Sequence, residues 1–218
     1  MEFAVVGWPV DEPRLRLDYR RFSYAGKFVT GNYGIAVARG ERPDQPDTSP
    51  SGSLPSLPEN LDESAFDRGM LAAVAFNVDR TESQTLWLRY LTVRRDLRGS
   101  GHRLGPRLAA FITAQASEQG YDCVRIAVNN AFSYQALYRA GFSYTGRQTG
   151  IAELILERPA EEPAGVSTAE YQQGLDEFRN REGLSTVERE FLAAHESADP
   201  PDRIAVDSGV SNPPSSSE

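Results

Sequence analysis

A strand, a glycine- and arginine-rich turn and a helix start follow one another without a break between Leu91 and Pro106, and few folds accommodate that succession. Leu91-Thr92-Val93 is β-branched and apolar, while Arg98-Gly99-Ser100-Gly101-His102-Arg103 can be neither strand nor helix interior. Gly99, Gly101 and Gly105 leave backbone N–H groups uncovered by side chains, and the helix behind them turns its positive dipole end toward the turn. Arg98 and Arg103 add full charges. Pro106 suits a first helical turn, where a missing N–H costs nothing, so the helix starts beside Gly105. A turn of this kind holds anions, and a diphosphate is its natural guest.

A second segment follows in order. Cys123–Val128 reads as a buried strand, and Asn129-Asn130-Ala131 then leads through a short helix containing Leu137-Tyr138 to Gly141-Phe142. Together the two segments resemble the cofactor motifs of the GNAT superfamily of acyl-CoA-dependent N-acetyltransferases. Arg98-Gly99-Ser100-Gly101 fits the first half of an Arg/Gln-x-x-Gly-x-Gly/Ala loop. The second small residue of that pattern is either replaced by Arg103 or displaced to Gly105 by an insertion around His102. The later segment fits strand–Asn–short helix with Leu-Tyr–Gly-Phe, with about one extra residue between Asn130 and Tyr138. The resemblance covers residues 70–156 and implies an α/β (α+β) fold with a mixed, mostly antiparallel, splayed central sheet flanked by helices.

The same resemblance implies transfer of an acetyl group from acetyl-CoA to a primary amine, by direct attack in a ternary complex. It places the cofactor on Leu91, Val93, Arg98, Gly99, Ser100, Gly101, Arg103, Gly105, Asn130 and Tyr138. Asn129 is an equal candidate to Asn130, and either also fits a helix cap. Tyr138 would be the catalytic proton donor, because a phenol with a reference pKa of about 10 is protonated at neutral pH and can serve a departing thiolate. No Asp or Glu stands in Leu86–Val93, so the nearest candidates for a general base are Asp79, Glu82 and above all Glu153, which interrupts the apolar run Ile151–Leu156. Leu86-Trp87, Tyr90 and Tyr144 offer an aromatic wall for the acceptor, and the acidic balance of the chain favours a cationic amine. The missing strand carboxylate and the long loop also fit a GNAT-fold protein that binds CoA as a sensor or interaction module without turning it over.

Composition bounds these readings. With 218 residues and 39% hydrophobic content, the chain can bury the core of one domain and carry tails. Residues 1–158 form the expected domain, interrupted by a flexible Pro- and Ser-rich insertion at about 40–64; 159–197 form a helical extension and 198–218 a disordered tail. In that extension Thr168–Arg181 and Thr186–His195 read as helices with capped starts. Short β-rich pieces are expected at Phe3–Val6, Arg14–Tyr19, Lys27–Thr30 and Gly34–Ala38. Leu104, Leu108, Phe111, Ile112 and Ala116 make one helical stripe.

Cys123, the only cysteine, excludes an internal disulfide, and with His102 and His195 the only histidines, no metal site is expected. His102 suits an anion contact and His195 a solvated helix position. A net charge of −8 argues against nucleic acid as a partner. No long apolar run or leader is apparent, which leads to an expectation of a cytoplasmic protein without membrane contact, as a monomer or homodimer. Lys27 is the only lysine, an arginine bias that resembles halophilic or high-GC proteomes.

Overall fold

The computed structural model describes residues 1–40, 54–163 and 165–204; most of the expected insertion, 41–53, and of the expected tail, 205–218, lies outside the described residues. Seven strands form one sheet in the order β1-β2-β3-β4-β5-β7-β6. They are β1 (Glu2–Gly7), β2 (Gly34–Arg39), β3 (Met70–Val78), β4 (Thr85–Val93), β5 (Cys123–Val128), β6 (Ser143–Gln148) and β7 (Leu154–Pro159). Every neighbouring pair is antiparallel except β4 and β5, which run parallel. This is the mixed, mostly antiparallel sheet flanked by helices that the sequence motifs imply.

The parallel pair is short. Its register runs from Thr85 opposite Cys123 to Leu88 opposite Ile126 and stops there, although β4 continues beside β3 as far as Val93. A bulge sets the stopping point: Ala75 pairs with Tyr90 and Phe76 with Leu88, so Arg89 is an extra residue on β4. A bulge bends its strand and increases its twist. Beyond Leu88 the two strands therefore part, and a seam opens in the sheet.

The parallel register is clamped by charge. Arg125 on β5, 5% exposed, donates to Asp79 at 3.1 Å, Glu82 at 2.8 Å and Glu157 at 2.6 Å. Its guanidinium also lies 5.3 Å from the centre of the Trp87 ring. Asp79 closes the β3–β4 turn as well, accepting from the Thr81 N–H and hydroxyl and from the Glu82 N–H. Burial pushes the Asp79 carboxyl up, but these hydrogen bonds and the Arg125 charge outweigh it and hold the group below its ordinary value of 3.8.

Helix α2 (Leu104–Glu118) crosses one face of the sheet on its expected stripe, with Leu104, Leu108, Ile112 and Ala116 buried and Phe111 stacked on Phe3 at 5.7 Å. The opposite face is covered by residues 13–33. Leu15, Leu17, Phe22 and Phe28 are buried there against Ile35, Val37, Ala73 and Ala75. Two short pieces expected as strands take other forms: Arg14–Tyr19 is irregular, and Lys27–Thr30 is the helical turn α1. Pieces this short carry too little periodicity to separate the alternatives, and burial of Phe28 decides the matter. The end of the insertion is anchored, since Arg20 binds Asp18, Glu63 and the Pro55 carbonyl.

Helices α3 (Ala131–Arg139), α4 (Thr168–Arg179) and α5 (Thr186–Ala194) complete the face that carries α2. Ser167 and Ser185 cap α4 and α5, each paired with a glutamate three residues on. Tyr171, Leu175, Phe178 and Leu192 join the main core, so the C-terminal helices share the hydrophobic interior of the sheet domain. Residues 198–204, expected within the tail, are pinned: Ile204 N–H donates to the Arg139 carbonyl at 2.9 Å and Ala198 C=O accepts from Gln172 at 2.7 Å.

Two measurements probe these joints. Gly174 sits within α4, where alanine normally raises helix stability by about 1 kcal/mol. A Cβ there would meet the Tyr134 hydroxyl at 2.0 Å, so Gly174→Ala should lower the denaturation midpoint. Asp79→Asn should be destabilising at pH 7, by about 3 kcal/mol, because it leaves buried Arg125 short of a counter-charge. Because the folded-state pKa of Asp79 is lowered, its contribution is complete above the ordinary carboxylate value and is lost as pH falls through the folded value. The difference between wild type and Asp79→Asn in chemical denaturation should therefore shrink below about pH 4.

Candidate functional site

At the C-terminal end of β4 the seam opens onto the glycine-rich turn that precedes α2. After a 3-10 turn at Arg95–Leu97 the backbone takes positive φ at Gly99 (71°), Gly101 (80°) and Arg103 (50°) before α2 begins. Among the described residues, the N–H groups of Gly101, His102, Arg103, Leu104 and Gly105 donate to no protein acceptor. They converge where the dipole of the fifteen-residue helix α2 is positive. A Cβ at Gly99 or Gly101 would meet no atom within 4 Å, so glycine is needed there for its backbone conformation.

The other loop residues divide in role. Arg103 is exposed, without a side-chain capping bond, and adjoins this array. His102 is likewise exposed. Arg98 instead braces the loop: its Nε donates to the Val93 carbonyl at 3.1 Å and its Nη2 to the Ser23 hydroxyl at 2.9 Å. Ser100 turns its hydroxyl back onto the Leu97 carbonyl at 2.6 Å. Gly105 lies where α2 touches β4, its missing Cβ 3.5 Å from Val93 Cγ2.

Along the seam the backbone of β4 is open. The Arg94 N–H donates to Leu71 on β3 at 2.9 Å, and the alternation of a strand then turns the main-chain groups of Val93 and Leu91 away from β3 toward the seam. Arg98 takes the Val93 carbonyl; the Leu91 N–H and C=O and the Val93 N–H are left for a ligand. On the β5 side, Asn130 caps α3 by accepting from the Ser133 N–H at 2.8 Å, and its amide donates to Asn129 Oδ1 at 3.0 Å. The Asn129 carbonyl accepts from Arg181, which also reaches the Ala152 carbonyl.

Tyr138 is tied to β6, and Glu153 to the turn that precedes β7. Tyr138 is 2% exposed, and its hydroxyl accepts from the Tyr144 N–H on β6 at 2.9 Å. The Tyr134 hydroxyl lies 3.0 Å from it and donates to the Tyr171 carbonyl on α4 at 3.1 Å, which leaves Tyr138 to donate to Tyr134. These groups form one closed chain from β6 to α4. Strand β6 is separated from β5, the nearer wall of the seam, by β7, a span of roughly 10 Å at about 4.8 Å per strand, so this hydroxyl is anchored on the far side of β5. Burial also pushes the Tyr138 phenol up from its ordinary value. Glu153 precedes β7 rather than standing within a strand, because Ala152 takes φ 61° and the Thr149 N–H donates to the Glu153 carbonyl. It half-buries in the turn beside the end of β5.

The other expectations fare unevenly. Asp79 and Glu82 are committed to Arg125. Leu86 is fully buried and Tyr144 lies among Tyr134, Tyr138 and α4, so of the expected aromatic wall only Trp87 and Tyr90 stand near the seam. The residues that the sequence reading passed over are Arg89, Lys27, Tyr24 and Tyr33, which surround Tyr90 and the bulge. Unpaired bulk charge beside aromatics was their only signal. His195, expected in solvent, stacks on Phe191 at 4.1 Å and bonds Phe191 and Gln135. Burial, with Glu157 nearby, pushes the Cys123 thiol up to about 11, which leaves it un-ionised at neutral pH. No group of three metal-ligating side chains occurs, and no helix is long and apolar enough to cross a membrane, among the described residues.

No protein-family model and no curated protein matches the chain. Solved structures that it resembles include nourseothricin acetyltransferase, at 19% identity and TM-score 0.40, covering 59% of this chain. The chain spans 65% of that protein's length. An N-acetyltransferase from Staphylococcus aureus Mu50 is 15% identical over 59% of this chain and 68% of that one, with TM-score 0.39. A ribosomal-protein-alanine N-acetyltransferase from Brucella melitensis is 16% identical over 58% and 68%, with TM-score 0.40.

The loop predicts its own test. Gly101→Val places a β-branched residue at φ 80°, which forces the turn to rearrange. In calorimetric titration this variant should bind inorganic diphosphate at least tenfold more weakly than wild type, with its far-UV spectrum unchanged.

Proposed function

We propose that the chain is an acyl-CoA-dependent N-acyltransferase of the GNAT superfamily, which uses acetyl-CoA as acyl donor and an amine as acceptor. The observation that carries this reading is the seam itself: parallel pairing stops at Leu88 and Ile126, and the unfilled N–H array of residues 101–105 lies at its mouth. In this reading the donor's diphosphate sits on the array, with Arg103 adding charge, while Arg98 and Ser100 hold the loop in shape. Its amide-bearing arm lies along the Val93 N–H and the Leu91 carbonyl. The thioester then reaches the vertex beside Arg89 and Tyr90.

Transfer needs no covalent enzyme intermediate, and the protonated Cys123 thiol is a poor nucleophile for one. A neutral amine nitrogen attacks the thioester carbon, the carbonyl becomes an oxyanion held by a seam-facing N–H such as that of Leu91, and the C–S bond breaks. The amine gives up one proton and the departing thiolate takes one. We assign that proton to water at the vertex rather than to Tyr138, whose hydroxyl is engaged at both ends. Glu153, in the turn beside the end of β5, is the candidate carboxylate for the base, acting through water.

A non-catalytic CoA-binding protein is the second reading, favoured by the commitment of Asp79, Glu82 and Tyr138 to structural bonds. Calorimetry with acetyl-CoA, CoA and adenosine diphosphate should show saturable one-to-one binding, and thiol release with a library of amines should then separate the two readings. Absence of acetyl-CoA binding by folded protein would overturn both. Tyr138→Phe should keep thiol release within about threefold of wild type and lose roughly 1 kcal/mol of stability. A collapse of turnover with CoA affinity intact would return the proton to Tyr138.

A further inference from the structure

Two cations without a salt-bridge partner among the described residues stand where the seam opens. Arg89, the extra residue of the β4 bulge, donates through Nε to Asn77 Oδ1 at 2.7 Å and stacks over Trp87 at 4.2 Å. Lys27 places its ammonium 5.7 Å from the centre of the Tyr90 ring. Neither has a carboxylate within ion-pair distance among the described residues, in a chain whose acids outnumber its bases 31 to 23. The acids nearest Arg89 along the sheet, Asp79 and Glu82, are already drawn onto Arg125.

Aromatic rings cluster with these cations. Tyr33 meets Tyr90 edge-on at 5.7 Å, and Tyr24 lies 5.6 Å from it. Lys27 lies over the Tyr90 ring and Arg89 is the residue before Tyr90, so the two charges flank that ring, and both act electrostatically on the Tyr33 hydroxyl. Arg89 is half-buried, with desolvation the largest influence on its guanidinium. A partly desolvated guanidinium keeps free Nη donors in a planar fork that matches a carboxylate or a phosphate, and Lys27 adds a mobile charge above it. Tyr90 and Arg89 are the first β4 residues beyond the parallel pairing, which puts this cluster at the vertex of the seam.

Resting on the acyltransferase reading, we propose that Arg89 and Lys27 select acceptors in which the reactive amine is accompanied by an anionic group, a carboxylate or a phosphate. The anion engages the Arg89 fork and the Lys27 ammonium, the Tyr24, Tyr33 and Tyr90 rings flank the body of the acceptor, and the amine is left pointing into the vertex. This reverses the preference for a cationic acceptor that the net charge of −8 suggests, because local charge governs a site within a few ångströms.

Paired probes test it. Phenylalanine against phenylalaninamide, and O-phosphoethanolamine against ethanolamine, are titrated calorimetrically into the full chain saturated with CoA, so that preference is read without turnover. At least one member that carries the anionic group should bind tenfold or more tightly than its partner that lacks it, and which pair responds separates carboxylate from phosphate. In the Lys27→Met, Arg89→Gln double variant the member with the anionic group should lose at least tenfold in affinity while the partner that lacks it changes less than twofold. Equal affinities within both pairs, no binding by any of the four, or a preference that survives the double variant would overturn the proposal. Thiol release from acetyl-CoA is followed separately: its absence with the anion preference present would overturn the acyltransferase reading alone, and turnover without anion preference would overturn only this inference.

Discussion

The parallel contact between β4 and β5 decides the rest of this molecule. It is only four register pairs long, and it is held by a buried guanidinium, Arg125, that three carboxylates from β3–β4 and β7 converge upon. A buried ion cluster gives little net stability over an apolar packing of equal volume, but breaking one member is costly, so such a cluster fixes register more than it adds free energy. Here register is what matters. With Thr85–Leu88 fixed against Cys123–Ile126, the bulge at Arg89 falls just past the clamp, and the sheet has to part there.

A second constraint acts on the other side of β5. The Tyr144 N–H, the Tyr138 and Tyr134 hydroxyls and the Tyr171 carbonyl form a chain buried among aromatic rings, with Tyr138 and Tyr171 4.8 Å apart. Each member is satisfied by the next, which is the condition under which buried polar groups stabilise rather than penalise a core. Gly174 makes the chain possible by leaving room for the Tyr134 hydroxyl against α4. The same arrangement withdraws Tyr138 from the seam, so a residue that the motif marks for chemistry serves to seat the C-terminal helices.

Electrostatics are divided in the same way. Acidic excess over the whole chain sets its average field, yet the exposed N–H array, Arg103, Arg89 and Lys27 make the seam and its vertex locally positive. Several other arginines are paired close at hand, as in Arg20 with Asp18 and Glu63 or Arg94 with Asp96. In the reading advanced above, the positive groups of the seam and its vertex are those that meet an anionic donor and an anionic acceptor.

What the amino-acid order alone determined was local: the α2 stripe, the Gly99–Gly105 turn, the capping boxes at Ser167 and Ser185, and the strands on either side of the seam. These follow from side-chain periodicity and backbone conformational limits acting within a few residues. Only the tertiary structure decided which way a side chain on a short helix faces and which charges pair across strands. One step along α3 turns a side chain by about 100°, which is enough to send Tyr138 toward β6 instead of the seam. Asp79 and Glu82 look free in the sequence because Arg125 comes from a distant strand, and Lys27 becomes part of a site only when residues 13–33 fold across the sheet face. Glu153 reads as a strand residue until the Ala152 turn is seen. The division has a physical cause: conformational preference is a property of neighbouring residues, whereas orientation and charge pairing depend on atoms that only the folded chain brings within reach.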